Sequence, residues 1–422
     1  MTSPTTAAAA PALLSFREVL RGDVIRRVWY AQMVSLFGDF LAIFAVIAVV
    51  TFTMHGTPSQ LTLVQISYML PLVILGPLAG VFVDRWPIKA TMVASDLLRA
   101  VLAVLLMFST ELWHFYLVLA LISTVSSFFG PAQAVTIRTH VPVSGLMSAN
   151  ALIQIGFMSA RIAGPIVAGT LVSLLGPSSC YALDALSFVA SASLIGTVAI
   201  HRPLDSARGR PADGDRPTSQ VSAILGDLLE GLRFIVRHAA VSFAVLAMAA
   251  GLFTLGCFGP LIAIHVRETL RASERVFGLV NGTIGAGLLA GTQVIRTVAM
   301  RFTGESLIFS GLAGIGAGVF LLGAVPTVWA TFTATFTIGF AFGAIMVPAQ
   351  TLMQQETPPA MMGRVSSSSS SLIVLGQVLG LAMSGVLADR LGIRAVFFVC
   401  AGIAGAMIAG GKVLTNASRA GR

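Results

Sequence analysis

Long, uninterrupted runs of apolar residues fill most of the chain, and they limit its possible folds more than any other feature. Hydrophobic residues make up 56% of the 422 residues and charged residues only 10%, whereas soluble proteins carry about 25% charged residues. So few charges cannot keep the surface of a protein of this size in water, which excludes a soluble enzyme. Because the apolar runs are continuous rather than alternating, they predict membrane-spanning helices and not the strands of a β-barrel.

The apolar runs predict twelve spans, since a helix needs about 20 residues to cross a bilayer. A polar connection at 201–239 separates two six-helix bundles, at 28–200 and 240–414, and leaves an N-terminal tail at 1–27 and a C-terminal tail at 415–422. Within the connection, 224–237 has the pattern of an amphipathic helix on the membrane surface. The predicted spans are 28–53, 61–83, 90–109, 114–137, 149–175, 179–200, 240–265, 276–298, 305–324, 327–352, 365–388 and 394–414.

Basic residues are unevenly distributed between the two sides that these spans define. The net charge of +9 comes mainly from arginines in the tails, in the 201–239 connection and in the loops on the same side. Because cytoplasmic loops of membrane proteins are rich in Lys and Arg, both termini are predicted to be cytoplasmic. We expect a multi-pass protein of the bacterial inner (plasma) membrane, with the lipid bilayer and not nucleic acid as its partner.

Signatures of cofactors are missing from the sequence. The chain lacks the GxxxxGK[ST] pattern that holds nucleotide phosphates, and its six histidines and three cysteines show no metal-ligand spacing. We predict that the chain is not an enzyme and that it uses no cofactor or metal. We also expect it to act as a monomer on a small-molecule cargo.

The two halves of the chain resemble each other at a nearly constant offset in residue number. The tripeptide that begins at Pro131 recurs at Pro348. Matches at one offset, in corresponding spans, indicate an internal duplication, and parallel six-helix repeats are one architecture of membrane transporters. The residues repeated at an offset of 216 are Pro142, Gly164, Gly169 and Gly176, which return as Pro358, Gly380, Gly385 and Gly392.

The connection after the second span carries the most specific motif, GPLAGVFVDRWPIK from Gly76 to Lys89. It resembles the signature of the loop between spans 2 and 3 in the major facilitator superfamily, and the form with Pro87 is similar to the branch of macrolide-efflux and enterobactin-exporter-like proteins. The resemblance implies the twelve-helix major facilitator fold, with all-α halves related by pseudo-symmetry, and a gating loop. We expect Gly80 to allow close helix packing and Asp84 to pair with a base. The gating residues are predicted to be Gly80, Asp84, Arg85 and Lys89, with Arg99 or Arg364 as the base.

The fifth span contains Gly164, Pro165 and Gly169 in a pattern that resembles the antiporter signature of the same superfamily. In that family the signature is associated with exporters. We predict that these residues form a hinge. Glycine and proline would bend the helix and let it approach the other half closely. A kinked packing helix with no bearing on the direction of transport is the alternative.

Ionisable residues within the spans are few, and such residues are costly in a bilayer unless they serve a function. Asp39 in the first span and Arg161 in the fifth lie at similar predicted depths, each with a glutamine two helical turns before it, Gln32 and Gln154. We predict that these four residues carry proton coupling or contact the cargo. Three arrangements are then possible. Arg161 could reversibly change the proton affinity of Asp39, the two residues could form a permanent salt bridge, or Arg161 could bind an anionic cargo group.

Three other charges near the ends of spans are expected to have different roles. Asp184 is predicted to be structural, and Asp96 and Arg99 are predicted to belong to the network of the gating loop. Together the sequence predicts a secondary active transporter that exports a small amphipathic molecule (a drug, macrolide or siderophore) in exchange for protons. Uptake or uncoupled facilitation of a metabolite, and flipping of a lysophospholipid, are the alternatives.

Overall fold

The fold is entirely helical over the residues described by the computed structural model, which are 14–83, 85–200, 217–298 and 301–420. The helices of the first half are α1 (Phe16–Val19), α2 (Asp23–Ala48), α3 (Pro58–Val83), α4 (Ile88–Leu106), α5 (Leu112–His140), α6 (Val143–Leu175) and α7 (Ser178–Gly196). Those of the connection and second half are α8 (Pro217–Arg237), α9 (Ala239–Ile264), α10 (Glu274–Val298), α11 (Gly304–Ala324), α12 (Val328–Glu356), α13 (Met362–Leu391) and α14 (Ile393–Ala420).

Eleven of these helices are long and apolar enough to cross a membrane by themselves. The twelfth span is α4, which carries Lys89, Asp96 and Arg99 within 19 residues. Asp96 and Arg99 are almost fully buried, at 0% and 4% exposure, so α4 presents these charges to its neighbours and not to lipid. Several helices begin before the predicted span, as α6 does at Val143, because hydropathy marks the lipid-crossing part while the helix continues into the polar interface.

The internal duplication predicted from the sequence is present in the backbone. Helices α2, α3, α4 and α5 begin at Asp23, Pro58, Ile88 and Leu112, and α9 to α12 begin at the same offset of 216, at Ala239, Glu274, Gly304 and Val328. Each half also has a π-helical turn at the end of its first span, at Val49–Thr53 and at His265–Thr269. Two residues with positive φ follow at the same offset, His55 and Arg271.

The two bundles meet near the end that lies away from both termini. Helix α6 packs on α10, where Gly169 and Gly278 allow the backbones to touch, and α3 packs on α13, where Gly385 lies against Ser59. Towards the termini, a Cβ added at Gly80 or Gly363 would meet nothing within 4 Å, so these two glycines make no close helix contact. We call the contact region the closed end.

Helix α8 of the connection lies against the second bundle and is longer than the predicted segment 224–237. Its Gly231 packs on the backbone of Arg364 in α13, and Leu228 accepts a hydrogen bond of 2.9 Å from the Ser368 hydroxyl. One face of α8 is therefore packed on α13, while Leu229 and Val236 are exposed on a second face.

Candidate transport site and carboxylate cluster

A central cavity of about 180 Å³ lies between the two bundles. Five helices line it, α2, α3, α6, α9 and α10, so both halves contribute. The Phe44 and Phe277 rings stack across the boundary between the halves with centroids 4.5 Å apart. The wall is formed by Phe40, Ile43, Phe44, Ile47, Gln65, Arg161, Pro165, Gly259, Phe277, Asn281, Ile284 and Gly285.

Arg161 carries the charge in this cavity. It lies close to the midpoint of α6, which runs from Val143 to Leu175, and therefore in the middle of the span. Its side chain is exposed although other helices surround it, because it faces the cavity. Among the described residues, no hydrogen bond or ion pair engages its guanidinium. The salt bridge between Arg161 and Asp39, one of the alternatives left open by the sequence, is therefore not formed in this structure.

Asp39 instead belongs to a carboxylate cluster, which we define as Asp39, Asp96, Asp184 and Arg99. The Arg99 guanidinium lies 3.8 Å from Asp39 Oδ2 and forms a close ion pair with Asp96. The Ser191 hydroxyl donates to the other oxygen of Asp96 at 2.6 Å. Asp96 and Arg99, which were predicted to belong to the network of the gating loop, make their contacts in this cluster inside the first bundle.

Helix packing in the first bundle creates the cluster. Helices α2 and α4 both pack on α7, and Gly38 allows the backbone of α2 to approach the Asp184 carboxylate of α7. Arg99 lies over the rings of Phe129 and Phe188, at 4.9 and 4.3 Å from their centroids, which adds cation–π stabilisation. Asp184 is 1% exposed, and its Oδ1 atom has no hydrogen-bond partner among the described residues. Two carboxylates thus share one guanidinium, and a third, that of Asp184, is buried in the same bundle without an ion pair among the described residues.

Of the residues predicted to form the gating loop, all but Asp84 lie within the described residues, so the pairing of Asp84 stays a prediction. Gly80 makes no close approach to another helix, contrary to the expectation, and Arg85 is exposed near Lys89 at the start of α4. Arg364 forms an ion pair of 2.7 Å with Glu230 of α8.

Five other predicted residues occupy the first bundle or its boundary. Gln32 is half-buried with an unpartnered Oε1 atom in the described part of the chain, Gln154 is exposed, and neither lines the central cavity. Gly164 packs on Phe40 of its own half, and Gly169 meets the start of α10 across the boundary. Pro165 lies inside the continuous helix α6. Close packing against the other half is thus made by Gly169, while the hinge movement stays a prediction.

Polar contacts of the closed end were not predicted from the sequence. Arg267, in the π-helical turn after α9, donates to the carbonyl oxygens of Thr51 at 2.6 Å and Gly56 at 3.3 Å in the other half. Ser59 of α3 donates to the Asp389 carboxylate of α13. Arg267 and Thr51 occupy equivalent positions of the two π-helical turns, so equivalent turns of the two repeats bond to each other. The signal available in the sequence was the equivalence of these two turns in the repeats, together with the expectation that the repeats pack on each other.

Comparison with known proteins places this architecture in a family. Residues 15–418 match the family model of transmembrane secretion effectors. The chain is 30% identical to the uncharacterised MFS-type transporter YfiS of Bacillus subtilis, over 88% of both chains. It is 25% identical to macrolide efflux protein A of Streptococcus pyogenes, over 88% of this chain and 91% of the relative.

A solved structure shares the fold. The bacterial homologue of the human lysosomal transporter Spinster, in an inward-facing and unoccupied conformation, matches with a TM-score of 0.72. The match covers 93% of this chain and 97% of that chain at 12% sequence identity. At this sequence identity, the similarity establishes the arrangement of the helices but does not identify the cargo.

Proposed function

Because the chain belongs to the major facilitator superfamily of membrane transporters, we propose that it exports a small amphipathic molecule in exchange for protons. The relative named macrolide efflux protein A supports export as the direction. The aromatic wall and few polar groups of the central cavity suit a bulky amphipathic cargo. Alternating access would be a rocking of the two bundles about this cavity, as in other transporters built from repeats.

The carboxylate cluster is the observation that carries the coupling. One guanidinium balances one carboxylate, and an ionised carboxylate buried without a cation is far costlier than a protonated one. With Asp39, Asp96 and Asp184 around Arg99, we take the cluster to hold at least one proton when the first bundle is packed as observed. Asp39 contacts Arg99 at 3.8 Å, farther away than Asp96, and it is the most exposed of the three carboxylates, so it is the best candidate for exchange.

Helix α2 connects the cluster to the cavity. Asp39 faces Arg99 of α4, whereas its neighbour Phe40 lines the cavity and packs on Gly164 of α6. Cargo that displaces Phe40 would move the backbone of α2 and change the distance between Asp39 and Arg99. Closer approach favours the ionised carboxylate and release of the proton, whereas separation favours the protonated form. Arg99, and not Arg161, is therefore the proposed modulator of Asp39.

The test is transport in proteoliposomes with an imposed pH gradient. The full chain is compared with Asp39→Asn and with the control Asp23→Asn, which removes an exposed acid that pairs with Arg26 at the start of the same helix. We expect the control to retain proton-driven transport and Asp39→Asn to lose it while still exchanging cargo without a gradient. Transport by the unaltered chain that ignores the gradient would instead establish uncoupled facilitation. Gradient-driven transport by Asp39→Asn would remove Asp39 from the mechanism.

A second function is supported by one separate observation. An apolar groove of about 790 Å³ lies between α2, α6 and α7 and reaches Gly38 and Ser187 beside the carboxylate cluster. Such a groove can accept an acyl chain, as movement of a lysophospholipid would require. The measurement is transfer of a fluorescent lysophospholipid between leaflets of vesicles that contain the purified chain, with protein-free vesicles as the reference. Equal rates in both would exclude this function.

A further inference from the structure

We infer that the cargo is an organic anion, an aromatic or amphipathic molecule whose carboxylate or phosphate binds the Arg161 guanidinium in the central cavity. The inference rests on the proposed function and names the class of substrate that the cavity takes. It starts from the absence of an internal partner for Arg161 among the described residues. A cation in the middle of a membrane protein is normally balanced by a neighbouring anion.

The acids of the helices that line the cavity are engaged elsewhere or lie at their ends. On α2, Asp39 faces Arg99 and Asp23 pairs with Arg26. On α10, Glu274 begins the helix at the closed end, where its carbonyl oxygen packs on Gly169. Helices α3, α6 and α9 contain no acidic residue. The fixed charge of the cavity wall is therefore positive.

The groups around Arg161 fit the remainder of such a molecule. Gln65 lines the same cavity, has no hydrogen bond among the described residues, and offers both a donor and an acceptor. Asn281 donates to the carbonyl oxygen of Phe277 at 3.0 Å, which leaves its own carbonyl oxygen available. The Phe40, Phe44 and Phe277 rings supply the apolar surface for an aromatic or aliphatic body.

Charge then decides which amphipathic molecules the cavity accepts. When the bundles close, water leaves and the electrostatic interaction with the guanidinium strengthens. An anion gains charge-assisted hydrogen bonds, and a guanidinium can bind a carboxylate through two parallel bonds. A cationic amphipathic molecule meets a like charge in the same space. The cavity therefore selects for anions over neutral and cationic molecules of equal size.

The experiment uses three probes that share a naphthalene ring and differ in charge: 2-naphthylacetate, 2-(2-naphthyl)ethanol and 2-(2-naphthyl)ethylammonium. Their binding to the full chain in phosphatidylcholine nanodiscs is measured by calorimetry. We expect the acetate to bind roughly tenfold or more tightly than the alcohol, as a hydrogen bond to a charged group implies, and the ammonium most weakly. Arg161→Gln should abolish this preference, and Arg161→Lys should retain part of it.

Two controls separate this inference from its alternatives. Arg275→Gln removes an exposed arginine at the start of α10 and should keep the full preference. As the second control, the calorimetry is run without a pH gradient, so failure of proton coupling in the proteoliposome test is distinguishable from failure of anion binding. The inference is overturned if the unaltered chain prefers the alcohol or the ammonium, if it binds none of the three up to millimolar concentration, or if Arg161→Gln leaves the preference intact.

Discussion

The contact between Gly169 and Gly278 allows a quantitative prediction about the closed end. A Cβ added at Gly278 would lie 2.4 Å from the carbonyl oxygen of Pro165, whereas ordinary contacts begin near 3.4 Å. Since that neighbour is backbone and not a flexible side chain, Gly278→Ala must push α6 and α10 apart by about 1 Å, and forcing an extra carbon into a packed contact costs about 1–3 kcal/mol. Only the conformation that is closed here bears this cost, so its population relative to the alternative falls by about 5- to 150-fold.

Distances between spin labels report this population directly. Labels on Leu175→Cys and Arg275→Cys mark the ends of α6 and α10 at the closed end, in a chain whose buried Cys180, Cys257 and Cys400 have been replaced. We expect Gly278→Ala to shift the distribution towards longer distances. The matched control is Gly402→Ala in α14, where an added Cβ meets nothing within 4 Å. An unchanged distribution in Gly278→Ala, with a folded protein, would refute the claim that this backbone contact holds the end closed.

Two further predictions concern arginines that bridge helices. Arg267→Gln shortens the side chain that donates to Thr51 and Gly56 across the bundles. Because charge-assisted bonds of this kind contribute about 1.5–3 kcal/mol each, the distance between the same pair of spin labels should increase. Unchanged distances would contradict a role of Arg267 in holding the closed end together. Arg99→Gln leaves the carboxylate cluster without its cation, which for a buried pair costs about 3–5 kcal/mol. The melting temperature in detergent should fall. Asp96→Asn combined with Arg99→Gln should recover more of the lost melting temperature than the control, Asp23→Asn combined with Arg99→Gln. Equal recovery in the two double variants would contradict the charge balance.

The helices and their repetition were predictable because both depend on local features of the sequence. An apolar run long enough to cross a bilayer can satisfy its backbone only as a helix, so every predicted span corresponds to a helix. The repeated Gly176 and Gly392 both end helices with positive φ, at 81° and 83°, where glycine is strongly favoured. Constraints of this kind act within a short stretch of chain, and the duplication makes them visible twice.

The partners of the charged residues were not predictable, because depth along a helix does not fix the direction in which a side chain points. Asp39 and Arg161 have similar depths, yet Asp39 faces α4 and α7 while Arg161 faces the cavity between the bundles. Asp96 and Arg99 are one helical turn apart on one face of α4, which predicts that they can pair. That spacing was the available signal, and assigning both residues to the loop overlooked how far α4 extends into the bundle.

Separate sites for Asp39 and Arg161 change what coupling requires of the protein. If the two residues formed one salt bridge, an anionic cargo would compete directly with Asp39 for the same guanidinium. In the observed arrangement the two residues have separate surroundings: Asp39 lies beside Arg99 within the first bundle, and Arg161 faces the cavity in which the proposed anion would bind. In the proposed coupling, communication would pass through α2, whose Gly38 touches Asp184 on α7 and whose Phe40 touches Gly164 on α6. A displacement of Phe40 by cargo would move the backbone of α2, and the neighbouring carboxylate of Asp39 would move with it.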